Sequence, residues 1–74
     1  MKTADEMFEE LGYEKHSSKS IEIFDLYSPD DELLIRIVFN LRTKRIAIKC
    51  DNDALDAQEV QAIYKKCQEL GLIE

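Results

Sequence analysis

Three patterns predict an α+β fold: a short amphipathic helix opens the chain, a longer one closes it, and the segments between alternate apolar and polar residues. The expected architecture is a three-stranded antiparallel β-meander, with room for a short fourth edge strand, covered on one face by the N-terminal and C-terminal helices. Residues 1–74 read as one domain, because Pro29, Gly12 and Gly71 are the only glycines and proline and no linker composition occurs.

The first helix is marked at both ends. Thr3 and Glu6 form a T-x-x-E capping box. Ala4, Met7, Phe8 and Leu11 make one apolar stripe, with Asp5, Glu6, Glu9 and Glu10 mostly opposite. Gly12 closes the helix in a left-handed conformation, which lets Tyr13 fold back onto Phe8. Tyr13 to His16 starts extended, and Ser17 to Ser20 read as a turn or an irregular edge. Ser20 to Tyr27 has strand composition, but its alternation is imperfect: Ile21 and Ile23 share one face, Phe24 and Leu26 the other. Ser28-Pro29-Asp30-Asp31 is a turn.

Leu33 to Leu41 is the clearest strand, with Leu33, Ile35, Ile37, Phe39 and Leu41 on one face and Leu34, Arg36, Val38 and Asn40 on the other. Arg42-Thr43-Lys44-Arg45 then reads as a hairpin loop. Pairing Leu41 with Ile46 sets Phe39 opposite Ile48 and Ile37 opposite Cys50, which keeps the apolar pairs on one side. Asp56 and Glu59 form a second capping box. The last helix carries the stripe Val60, Ile63, Tyr64, Cys67 and Leu70, and Gly71 closes it. The expected core is Met7, Phe8, Leu11, Ile21, Ile23, Ile35, Ile37, Phe39, Ile46, Ile48, Val60, Ile63, Cys67 and Leu70.

Composition narrows the function classes. A hydrophobic fraction of 45% is enough for a folded core, and a net charge of −6 disfavours whole-surface binding to phosphate backbones or anionic lipid. Direct nucleic-acid binding and membrane association are therefore not expected. The start of the chain is acidic and amphipathic, so no signal peptide is read there and the expected location is the cytoplasm. Cys50 and Cys67 are not in a C-x-x-C arrangement and are expected to be reduced thiols.

Ala4-Asp5-Glu6-Met7-Phe8-Glu9-Glu10-Leu11-Gly12-Tyr13 resembles the opening of small uncharacterised proteins from phages and prophages of Gram-positive bacteria. The run Gln61-Ala62-Ile63-Tyr64-Lys65-Lys66-Cys67-Gln68-Glu69-Leu70-Gly71-Leu72-Ile73 is similar to their ending. The resemblance covers both helices well and the sheet loosely. It implies a bacterial host cell, a mobile-element origin and an accessory role, and it carries over no catalytic residues.

No catalytic, cofactor or metal constellation is expected. His16 beside Ser17 and Ser18 lacks an orienting acid and an oxyanion site. Asp51, Asp53, Asp56 and Glu59 lack the central glycine and spacing of a calcium loop and read as an acidic helix start. The protein is therefore expected to be non-enzymatic and to bind another protein. The candidate interface is the back of the sheet, Phe24, Leu26, Leu34, Arg36, Val38 and Ala47, expected to form a homodimer or to dock a host protein. The alternative is an acidic, DNA-mimic-like inhibitor of a host nuclease, restriction or CRISPR defence protein. It would use Asp5, Glu9, Glu10, Asp30, Asp31, Asp51 and Asp53. The basic residues Arg36, Arg42, Lys44, Arg45 and Lys49 cluster on the second hairpin and are expected to be solvated.

Overall fold

The computed structural model describes residues 1–50 and 54–73. The elements run α1 (Ala4–Glu10), β1 (Glu14–Ser18), β2 (Ile21–Tyr27), β3 (Leu33–Asn40), β4 (Arg45–Cys50) and α2 (Ala57–Glu69). The strands form one antiparallel sheet in the order β1-β2-β3-β4, so the α+β prediction holds and the edge strand expected as a fourth member is β1. Both capping boxes form, with Thr3 accepting from the Glu6 amide and Asp56 from the Glu59 amide. Both helices end the same way. Gly12 and Gly71 adopt positive φ, and the Tyr13 and Leu72 amides donate back to the carbonyls of Phe8 and Cys67 at 3.0 and 2.9 Å.

The core lies between the helices and one sheet face. Phe8 of α1 stacks on Phe24 with ring centroids 4.2 Å apart, and Phe39 meets both rings edge-on. Tyr13, Ile35, Ile37, Ala62 and Cys67 complete it, with Met7, Leu11, Leu26, Leu34, Ile63 and Leu70 packed around them.

Two expectations about the sheet are corrected. The first is the phase of β2. Phe24 pairs with Ile37 and Leu26 with Ile35, so both point toward the helices, while Ile23 pairs with Val38 and Ile21 with Asn40 on the uncovered face. Phe24 is 1% exposed, and Leu26 and Leu34 pack against the core, Leu34 beside a register shift at Leu26/Tyr27. These three are therefore not back-face residues, and Ile21 and Ile23 are not core. The reason is packing and charge together. The Phe24 ring fills the aromatic cluster, and this phase also sets Asp25 opposite Arg36.

The second correction is the β3–β4 register, which is two residues tighter: Phe39 pairs with Ile46, Ile37 with Ile48 and Ile35 with Cys50. Leu41 belongs to the loop, where its amide donates to the Ser20 carbonyl at 2.8 Å. The Asn40 side chain accepts from the Arg42 and Thr43 amides, and Lys44 takes positive φ to close the loop. The face assignment survives a shift of two, but burial does not. Ile46 and Ile48 are 36% and 45% exposed and Val60 is 53% exposed, because the helical layer stops short of edge strand β4.

Candidate functional site

The sheet face away from the helices has no covering element among the described residues. Strand pairing arranges it in cross-strand rows. One row is His16, Ile23, Val38 and Ala47. The next is Glu14, Asp25, Arg36 and Lys49, and a third is Ser18, Ile21, Asn40 and Arg45. Ile21, Ile23 and Val38 are half-buried by their neighbours and Ala47 is exposed. The result is a short β-branched strip bordered by charge.

Asp25 organises that border. It is 1% exposed although it sits on the uncovered face. Arg36 reaches across from β3 and donates twice, Nε to Oδ1 at 2.7 Å and Nη2 to Oδ2 at 2.9 Å. The Tyr27 hydroxyl donates at 3.4 Å and His16 Nε2 lies 3.6 Å away. The Arg36 hydrogen bonds hold the Asp25 carboxyl below the ordinary range, against the opposing effect of burial. The carboxylate is thus saturated by its own neighbours, and a base already locked into a bidentate ion pair is poorly placed to take a proton from a substrate. Among the described residues, no three His, Cys, Asp or Glu side chains converge as a metal site.

No family model, curated protein or solved structure matches this chain.

Of the six back-face candidates, Arg36, Val38 and Ala47 lie on the uncovered face, where Ile21 and Ile23 take the places expected for Phe24 and Leu26. The basic residues Arg42 and Lys44 of the β3–β4 loop and Arg45 at the start of β4 are exposed. The carboxylates expected to form an acidic surface are not alike. Asp5 is held by Lys15 at 2.7 Å and Lys66 at 2.8 Å, and Glu10 by Lys2 at 2.6 Å. Glu9, Asp30 and Asp31 are exposed. Asp51 and Asp53 lie outside the described residues.

A second charged cluster lies on the covered side. Lys66, 5% exposed, bridges Asp5 and Glu22, and Lys15 reaches the same two carboxylates. Both ammonium groups sit over the Phe24 ring, at 5.5 Å for Lys66 and 5.9 Å for Lys15. Burial works to raise the pKa of Asp5 and Glu22, but the two lysines outweigh it and hold both carboxyls below the ordinary range. Nearby, the buried Tyr13 hydroxyl donates to Glu59, whose other oxygen caps the Asp56 amide at 3.0 Å. Burial and the Glu59 hydrogen bond push the Tyr13 phenol well above its usual pKa. These groups join elements to one another. Among the described residues, no helix is long and apolar enough to cross a membrane.

Lys66 was not singled out from the sequence because it falls beside the apolar stripe of α2. The signal was Glu59, Ala62 and Lys66 at helical spacing, with the small Ala62, 0% exposed, allowing α1 to approach.

Proposed function

We propose that this protein is a non-enzymatic protein-binding module whose uncovered sheet face docks a second protein, and that it serves a phage or prophage as an accessory factor in the bacterial cytoplasm. The observation that carries the binding reading is the one-sided layering. Four strands are covered by helices on one side only, and the other side presents Ile21, Ile23, Val38 and Ala47. Leaving β-branched side chains half-exposed costs burial free energy that a partner recovers on docking. The likeness of both helices to phage and prophage proteins supports the accessory role.

The border selects the partner. Arg36, Arg45 and Lys49 share the uncovered face on β3 and β4, so the complementary surface is a small apolar strip flanked by carboxylates. The test is affinity capture from host lysate with three baits: the wild-type chain, Val38→Glu, and Val60→Glu on α2 as a control. The reading requires one protein held by wild type and by Val60→Glu, with at least ~tenfold weaker binding to Val38→Glu. A partner retained by Val38→Glu, or no captured protein at all, overturns it.

A further inference from the structure

The sheet has two edges, and they differ. Edge strand β1 is Glu-Lys-His-Ser-Ser, exposed along its length and wholly polar. Edge strand β4 is Arg-Ile-Ala-Ile-Lys-Cys, with Ile46 and Ile48 on the helix side. Their cross-strand partners Phe39 and Ile37 are fully buried, yet Ile46 and Ile48 remain 36% and 45% exposed. On α2, Val60 and Tyr64 are one turn apart and each is 53% exposed. At 100° per residue they lie on the flank turned away from Ala62 and Glu69, and Glu69 is the side that meets α1, accepting from the Ala4 amide at 3.0 Å. Tyr64 also lines a shallow groove with Met1, Lys2 and Met7, so the apolar margin at the sheet edge is Ile46 and Ile48, with Val60 exposed on the helix. A short polar edge such as β1 is protected against pairing, whereas an edge with exposed isoleucines is a template for another strand.

We infer that a second copy of this chain pairs along β4, antiparallel, about a two-fold axis at Ile48, giving one continuous eight-stranded sheet. Electrostatics favours this register over one centred on Ala47. Centred on Ile48, the pairing sets Ile46 opposite Cys50 of the second copy, and Ala47 opposite its Lys49. Centred on Ala47, it would set Arg45 directly against Lys49, a like-charge pair that destabilises a ladder.

The larger charge pattern agrees. The Ser20–Leu41 bond brings the β1–β2 and β3–β4 connections to one end of the sheet, which therefore carries Lys19, Arg42, Lys44 and Arg45. The other end carries the β2–β3 turn with Asp30, Asp31 and Glu32, and the α2 cap Asp56, which lines a groove with Ile35. Antiparallel pairing sets the basic end of each copy beside the acidic end of the other. An odd offset along the strand would turn Ile48 toward the open face of its neighbour and separate the two apolar margins. Pairing β4 with β1 of a neighbour does not close and would build fibres. The inference is independent of what docks on the uncovered face.

Sedimentation equilibrium of the full chain from about 5 to 200 μM tests it, with Ile48→Lys and Ile23→Lys as the paired variants and circular dichroism to check that each is folded. The expected result is a dimer for wild type and Ile23→Lys, and at least ~tenfold weaker association for Ile48→Lys, which sets two ammonium groups against each other on the axis. A wild-type monomer across the range overturns the inference and leaves the docking function standing. So does a dimer that Ile48→Lys leaves intact and Ile23→Lys dissolves, which would place self-association on the uncovered face, and so does open-ended assembly.

Discussion

The phase of β2 is tested by a pair of neighbouring truncations. Phe24 is 1% exposed, stacked at 4.2 Å on Phe8 and edge-on to Phe39 at 5.7 Å. Truncating such a ring to alanine removes its transfer free energy and leaves a cavity that surrounding rings fill poorly, a cost of about 3–5 kcal/mol. Ile23, the next residue, is half-buried on the other face, so Ile23→Ala is expected to cost about 1 kcal/mol. At roughly 0.05–0.15 kcal/mol per residue, a domain of this length has about 4–11 kcal/mol in total. Phe24→Ala therefore removes between about a quarter and all of it. Because that variant is at risk of not folding, Phe24→Leu, at about 1–2 kcal/mol, is measured beside it. Urea titrations followed by far-ultraviolet circular dichroism give the midpoints. With a slope near ~1 kcal/mol per molar urea, Phe24→Ala should fall about 2–4 M below Ile23→Ala. If Ile23→Ala costs as much as Phe24→Ala, the strand has the opposite phase and the reasoning about both faces fails.

Three further outcomes follow from the charged clusters. The carboxyls of Asp5, Glu22 and Asp25 are held below their unfolded values by the lysines and by Arg36. The unfolded chain therefore binds more protons as pH falls below about 5, so urea midpoints should drop from there through the folded values and then level off, with Asp25→Asn flattening part of the drop. Burial and Glu59 raise the Tyr13 phenol, so its contribution is intact below pH ~10 and lost above it. Thermal melts of Tyr13→Phe should show a deficit of about 1–3 kcal/mol at pH 7, where Glu59 has lost a donor, and that deficit should shrink above pH ~10. Lys66→Met should cost about 1–3 kcal/mol by urea titration, since Lys15 still reaches Asp5 and Glu22, and adding Glu22→Leu should recover part of the loss by removing the stranded carboxylate.

Local chemistry made the elements legible and left their pairing ambiguous. Capping boxes at Thr3 and Asp56 and the glycine closures at Gly12 and Gly71 are short-range devices, readable within a few residues. Register and phase depend on distant partners. In β2 both alternating sets hold apolar and acidic residues, Ile21-Ile23-Asp25 and Glu22-Phe24-Leu26, so polarity within the strand could not choose between them. The choice was made from outside: Lys66 of α2 and Lys15 of β1 accommodate Glu22 on the covered side, and Arg36 accommodates Asp25 on the other. The β3–β4 slip has a similar origin. Leu41 looks like one more strand residue, but the Asn40 side chain accepts from the Arg42 and Thr43 amides and turns the chain there. The uncovered face was foreseeable from the number of helices, and its composition was not, because it followed from the β2 phase.

The same cross-element pairing bears on the acidic-surface reading. A mimic of nucleic acid needs carboxylates spaced like phosphates and free to meet a partner's lysines and arginines. Of the carboxylates such a surface would use, Asp5 is engaged by Lys15 and Lys66 and Glu10 by Lys2, while Glu9, Asp30 and Asp31 are exposed. Of the described carboxylates proposed for such a surface, Asp30 and Asp31 sit in the β2–β3 turn at one end of the sheet, while the exposed basic residues of the β3–β4 loop sit at the other. A duplex-like rail would have to run the length of the molecule, and this one changes sign along the way. A protein partner has the opposite requirement: an apolar strip supplies contact area, and a potential that reverses along it fixes which way round the partner lies.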